Sequence, residues 1–279
     1  MSRLFVESTG VYCSIQDFGR FGYKKLGVPE SGVMDRVHAG IANLILRNNF
    51  YDPLIELAFG GLKIRSQGKT LISVTGPIDF VWVNGKKVSS FTVIHLEDND
   101  TLSIPYFSVG VYTYLAVIGG IHTEEVLGSC SQTKHITKKE RVFKGDVFEV
   151  KESDRIINLG AKVKKNQNYF SEGFIEVYKG PDYQEGLIDI SNYFKISNKS
   201  NRQAYLLHSN SGNIDFKEIL TSSVMPGTVQ LTKSGQLNVL MRDSQTTGGY
   251  PRVFQLTEES IGRLAQRRPG GKVKFRVLD

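Results

Sequence analysis

Nothing in these 279 residues runs apolar for the ~20 positions that a helical bilayer crossing needs, so no membrane span is expected. Cysteine is scarce: Cys13 and Cys130 stand far apart, outside any paired motif. That excludes a disulfide scaffold and makes a reducing, cytoplasmic setting the expectation. Glu7 interrupts the first apolar stretch, so a cleaved leader is not expected either. The histidines at 38, 95, 122, 135 and 208 show no metal-ligand spacing, and no metal site is predicted. There is no G-x-S-x-G elbow, so the usual α/β-hydrolase serine is absent. Gly68-Lys69-Thr70 imitates the end of a phosphate-binding loop, but the glycine required five positions earlier is Lys63, and a strand pattern follows. It reads as a hairpin turn. No lysine sits in Ala-Met-Lys-Met, so the chain carries no biotin attachment site of the usual kind.

What is present is a globular composition, 40% hydrophobic and 23% charged, in a length comfortable for two domains. The net charge of +7 is uneven: Lys134–Lys165 holds ten basic and five acidic residues. That stretch lacks the regular aromatic interleaving of a nucleic-acid face and reads as a solvated connector.

Short apolar strands dominate. They include Leu71–Thr75, Phe80–Val83, Phe91–Leu96, Thr101–Ile104 and Val111–Ile118, with Asn84-Gly85 as a type I′ hairpin signal. Two helices interrupt them. One is predicted over 34–47 from Met34, Val37, Ile41, Leu44 and Ile45, with Asp35 in its first turn; the other opens at Thr257-Glu258-Glu259. A weak duplication pairs Ile72-Ser-Val-Thr-Gly-Pro with Ile175-Glu-Val-Tyr-Lys-Gly-Pro, and Gly145–Val150 with Gly271–Val277. The expected fold is mainly β, with two similar β-rich domains, 1–165 and 166–279, joined near the polar stretch Lys162–Ser171.

Three segments look unlike plain scaffold. Residues 16–36 carry four glycines and one proline around Asp17, Arg20, Asp35 and Arg36, and lead into a helix N-terminus. Either these groups face an anion or carbonyl oxygen, or they pair to hold the loop. Asp243–Arg252 gathers Gln245, Thr246, Gly248, Gly249 and Arg252, which suits polar recognition close to the backbone. The third, Lys179–Asp182 with Arg202 and the turn Pro226–Gln230, reads equally well as turn chemistry.

Together these segments resemble one family. Gln16-Asp17-x-Gly19-Arg20-x-Gly22-Tyr23, Gly27-Val28-Pro29-x-Ser31-Gly32-x-Met34-Asp35, Ala42-Asn43, Glu56 and Gly60-Gly61 are similar to the KipA / allophanate-hydrolase-subunit-2 family. The likeness continues through Tyr114–Ile121, Val126–Ser129, Gly180-Pro181, Pro226–Gln230, Gln245–Pro251 and Leu264–Gly270. Cys130 stands where the family usually has Arg, and Gln203-Ala204 where a glycine usually follows Arg202.

The resemblance implies two cyclophilin-like β-barrel domains. It also implies a share in ATP-dependent hydrolysis of 5-oxoproline to glutamate, with a KipI-like chain and a LamB/YcsF-like chain as partners. On that reading Asp17, Asp35 and Arg20 are the catalytic candidates. The substrate-binding candidates are Arg36, Arg202, Gln230, Gln245, Thr246, Gly248, Gly249 and Arg252. ATP and Mg²⁺ are the expected cofactors, ATP being shared with or held by a partner, and neither nucleic acid nor a membrane is an expected partner. The same family supplies two alternatives: an antagonist of a KipI-like kinase inhibitor, and a carboxyltransferase component working with a biotinylated partner.

Overall fold

The computed structural model describes residues 2–150, 157–171, 173–208, 212, 214, 216 and 219–278. The chain forms two compact units, residues 1–20 with 31–166, and residues 21–30 with 167–279.

The first unit runs β1 (Ser2–Ser8), β2 (Tyr12–Gln16), α1 (Arg36–Ile45), β3 (Leu54–Ala58), β4 (Leu62–Gln67) and β5 (Thr70–Thr75). It continues with β6 (Phe80–Val83), β7 (Lys86–Ser89), β8 (Ile94–Leu96), β9 (Thr101–Ile104), β10 (Tyr112–Val117), β11 (Ile121–His122) and β12 (Val147–Val150). These strands make one sheet in the order β11-β12-β1-β4-β9-β6-β7 and a second in the order β2-β3-β10-β5-β8. Leu4, Val6, Ile64 and Leu102 of the first sheet share a core with Ile15, Ile55, Ile72, Val74 and Leu115 of the second. β4 alternates buried and exposed residues, as a strand with one face on a core must. Every residue of β10 is buried, because α1 packs on the sheet face opposite that core.

The second unit carries β13 (Phe174–Lys179), β14 (Phe194–Ile196), β15 (Ala204–His208), β16 (Ser222–Ser223), β17 (Thr228–Leu231), β18 (Leu237–Leu240), β19 (Thr247–Gly248), β20 (Arg252–Leu256), α2 (Glu258–Ala265) and β21 (Lys272–Val277). Seven of them close a barrel in the order β13-β20-β17-β18-β15-β14-β21, while β16 and β19 pair separately. In β21, Val273 and Phe275 are buried while Lys272 and Arg276 are exposed, the alternation of a strand with one face on a core. The mainly-β class is therefore observed. No helix among the described residues is long and apolar enough to cross a membrane.

Local signals hold where chemistry is strict. Asn84 and Gly85 both take positive φ, 49° and 76°, and join β6 to β7. α1 spans Arg36–Ile45, and Asp35 is its N-cap rather than part of its first turn. Thr257 caps α2 by accepting from the Ser260 N–H at 3.1 Å. Two expectations need correction. Gly68–Thr70 is not a hairpin: β4 pairs with β1 and β9 while β5 pairs with β10 and β8, so this turn hands the chain from one sheet to the other. The strand foreseen over Phe91–Leu96 shrinks to Ile94–Leu96, because Phe91 sits at φ 56° and Thr92 bridges to Lys162 instead. Of the basic connector Lys134–Lys165, residues 151–156 lie outside the described residues; Lys134, Lys138, Lys139, Arg141 and Lys144 are exposed.

Candidate functional site

In the first unit, strand register builds a polar row across an otherwise apolar sheet. Ser14 on β2 lies opposite Glu56 on β3, Glu56 opposite Tyr114 on β10, and Tyr114 opposite Thr75 on β5. All four are fully buried. Buried polar groups persist only when hydrogen-bonded, and three of these hold the start of α1. Glu56 Oε2 accepts the Met34 N–H at 2.6 Å, Tyr114 Oη accepts the Asp35 N–H at 2.8 Å, and Thr75 Oγ1 donates to the His38 carbonyl at 2.6 Å. Burial, and then the carboxylates of Glu56 and Asp35, push the Tyr114 phenol well above its ordinary pKa. It stays a neutral donor to Glu56.

Asp35 completes this arrangement. Its Oδ1 accepts the N–H groups of Val37 and His38 at 3.1 and 3.2 Å, and its Oδ2 lies 2.7 Å from His38 Nδ1. A carboxylate here suits both the unsatisfied donors and the positive end of the helix.

Beside this row, the glycine-rich loop and the loop 126–133 lock together around Asp17. Its Oδ1 accepts from the Gly19 N–H and the hydroxyls of Ser129 and Ser131, at 2.9, 2.7 and 2.6 Å. Its Oδ2 accepts from the Cys130 N–H at 2.6 Å. Arg20 is buried and donates to the carbonyls of Val126 and Ser131, both at 2.9 Å. Arg36 donates to the Phe18 carbonyl at 2.9 Å and lies over the Phe18 ring. The Val33 N–H reaches the Asp17 carbonyl at 2.8 Å. Thus Asp17, Arg20, Asp35 and Arg36 are brought into one cluster. The contacts just described tie each of them to backbone, hydroxyl or ring groups of the same unit.

Within this cluster Ser31 breaks two rules at once. Its φ is 58°, a left-handed conformation that costs a non-glycine residue about 1–3 kcal/mol when context enforces it. Its hydroxyl is buried with no hydrogen-bond partner among the described residues. That is a penalty of about 1–3 kcal/mol by itself.

The second unit gathers the later candidates. Gln230 and Arg252 are register partners on β17 and β20, next to a bulge. Gly248 is packed so tightly against Gln230 that a Cβ would stand 2.4 Å from Nε2. Arg252 donates through its backbone N–H and its Nε to Asp182 Oδ2, at 3.0 and 2.8 Å. That contact holds the Asp182 carboxyl below the usual carboxylate range. Arg252 Nη1 and Nη2 have no protein partner among the described residues, and about a quarter of the side chain is exposed. Arg202, by contrast, is bidentate on Asp243, at 2.7 and 3.1 Å. The Thr246 carbonyl accepts from Val224, Gln245 is exposed, and Gly249 has only ordinary contacts.

Sequence reasoning quoted Ser31, Glu56, Tyr114, Asp182 and Asp243 within its segments and motifs without giving them a role, and weighed His38 only for metal-ligand spacing. Glu56 had a readable signal: a carboxylate in the apolar run Leu54–Ala58 needs a buried partner.

The sequence matches the family described as carboxyltransferase domain, subdomain A and B, over residues 26–277. It is similar to the 5-oxoprolinase C subunit of Escherichia coli K12, at 30% identity over 276 residues, covering 95% of this chain and 88% of that protein. The Haemophilus influenzae 5-oxoprolinase C subunit is 28% identical over 283 residues with the same coverage. Urea amidolyase of Lachancea kluyveri is 41% identical over 127 residues, which is 45% of this chain and 7% of that protein. Among solved structures, TTHA0988 superposes with a TM-score of 0.91 at 25% identity; the match covers 99% of this chain and 56% of that one. This chain therefore spans little more than half of that solved relative.

Proposed function

The chain belongs to the carboxyltransferase domain family, and we propose that it serves as one subunit of an ATP-dependent 5-oxoprolinase that opens 5-oxo-L-proline to L-glutamate. The carrying observation is that it is similar, over 95% of its length, to two proteins named as the C subunit of 5-oxoprolinase, of which it covers 88%. The name implies further subunits, and a KipI-like and a LamB/YcsF-like chain are the partners we assign.

Amide resonance makes a lactam resistant to water. Phosphoryl transfer from ATP to the carbonyl oxygen would make that carbon electrophilic, so that water adds. The C–N bond then breaks with the nitrogen leaving as the amine, and the acyl phosphate so formed is hydrolysed to glutamate and phosphate. The substrate also carries a carboxylate, to which we assign Arg252. Its Nε is anchored on Asp182, while Nη1 and Nη2 take no protein partner among the described residues and remain available as donors. Gln230, buried beside Gly248 with its Nε2 directed to the Tyr250 carbonyl, is the group we assign to the substrate amide. Gln245 and Thr246 lie on the adjoining loop. Asp17, Arg20 and Asp35 support the reading as positioning groups: they hold the two loops and the start of α1 by contacts already given.

Magnesium does not suit these carboxylates. Asp17 takes four protein donors and Asp35 takes two N–H groups and His38, so a cation would have to displace them. No step is assigned to a metal on this chain, and ATP belongs to a partner or to a site shared with one.

The test is reconstitution: this chain mixed with both partners should release glutamate from 5-oxoproline only when ATP is added. Glutamate release without this chain, or none with all three, overturns the reading. The stronger local identity to urea amidolyase favours carboxyl transfer as a second reading. Inhibition of turnover by avidin would select it.

A further inference from the structure

We propose that the Ser31 hydroxyl is a ligand-binding group, kept to donate a hydrogen bond to a carbonyl or carboxylate oxygen of a small substrate. Three consecutive residues after Gly32 have their backbone N–H groups taken: Val33 by the Asp17 carbonyl, Met34 by Glu56 and Asp35 by Tyr114. Gly32 is wedged against the start of its own glycine-rich segment, where a Cβ would stand 2.8 Å from Gly19 N. The turn is thus fixed on its C-terminal side by four separate contacts. In its midst Ser31 holds a left-handed φ of 58° and a fully buried hydroxyl without a partner among the described residues.

Glycine would remove both penalties and alanine one of them. The folded chain by itself therefore asks for glycine where the sequence supplies serine. Local rules are broken in this way where function requires the group. A hydroxyl offers one donor and two acceptor positions, and no charge, which suits an oxygen already polarised within a substrate. Because the side chain is closed to solvent, the turn must swing to present it. Gly32 to Asp35 are held, so that movement falls on the N-terminal side of Ser31.

The inference rests on the 5-oxoprolinase reading only for its probe, 5-oxoproline, and two measurements separate their failures. The first is thermal unfolding of the whole chain alone. Ser31→Gly should raise the midpoint by about 2–4 °C, and Ser31→Ala should match or exceed the native chain. A clear fall in both overturns the proposal, since the hydroxyl would then have an internal partner such as a trapped water. The second is turnover by the assembled complex. Both variants should raise KM for 5-oxoproline about 10-fold or more with kcat little changed. An unchanged KM overturns the proposal. If the native complex releases no glutamate with ATP, the proposed substrate falls and the thermal comparison alone decides the case of Ser31.

Discussion

Glu56 and Tyr114 face each other across β3 and β10, and together they take two successive peptide N–H groups, those of Met34 and Asp35, at 2.6 and 2.8 Å. A cross-strand pair in the middle of a sheet thereby sets where a helix begins. Removing the phenol oxygen leaves both the Asp35 N–H and Glu56 short of a partner in a buried place. Tyr114→Phe should cost about 1–3 kcal/mol in urea unfolding. Glu56→Gln, which keeps an oxygen for Met34, should cost less than Glu56→Ala. A neutral Tyr114→Phe would show that the clamp is dispensable.

Asp35 separates two roles. Asn keeps the cap on α1 but gives up the charge facing His38; Ala gives up both. Asp35→Asn should destabilise by about 1 kcal/mol, and Asp35→Ala by about 2 kcal/mol or more. Equal losses would mean that the contact with His38, not the cap, carries the contribution.

The Arg252–Asp182 pair has a defined pH signature. Asp182 is held below its ordinary value in the folded chain, chiefly by hydrogen bonding from Arg252. Its contribution to stability is thus fully present above the unfolded carboxyl value of about 3.9, and is lost as pH falls through the lower, folded value. Arg252→Gln should be less stable than the native chain at neutral pH, and the gap should close in strong acid. In the same variant, NMR titration should place the Asp182 carboxyl back near the ordinary range. The assembled complex should lose affinity for 5-oxoproline, read as a rise in KM.

Cys13 and Cys130 should differ sharply in reactivity. Cys13 is buried, and burial, then the charges of Glu56 and Asp146, push its thiol far above the usual range. Cys130 is only partly buried. Mass spectrometry after brief alkylation at neutral pH should find label on Cys130 alone, and on both after unfolding in guanidinium. Rapid native labelling of Cys13 would contradict the packing described for β2.

The sequence disclosed features that depend on neighbours along the chain. Asn84-Gly85 needs only its own positive φ angles, and Thr257 needs only the N–H of Ser260, so hairpin and cap were legible. Gly68–Thr70 was misread because a turn between strands looks the same whether they pair with each other or join different sheets. The candidate site failed in the same way. Asp17 finds its donors 112 to 114 residues away on Ser129 and Ser131, a separation that no local pattern reports. Arg252 finds Asp182 70 residues away. Glycines and charges marked the loops that matter; which group each would hold depended on strand register, which sets Glu56 against Tyr114.

Residues 21–30 belong with the second unit, although the first unit resumes at Ser31 and runs on to Asn166. Neither half can be liberated by a single scission of the polypeptide. Dividing it after Asn166 strands ten amino acids in the wrong fragment. During synthesis those ten must wait for more than a hundred later residues before their own unit is complete. Ribosome-bound intermediates ending near Asn166 should therefore stay protease-sensitive between Phe21 and Glu30, and become resistant there only when the last strand has emerged.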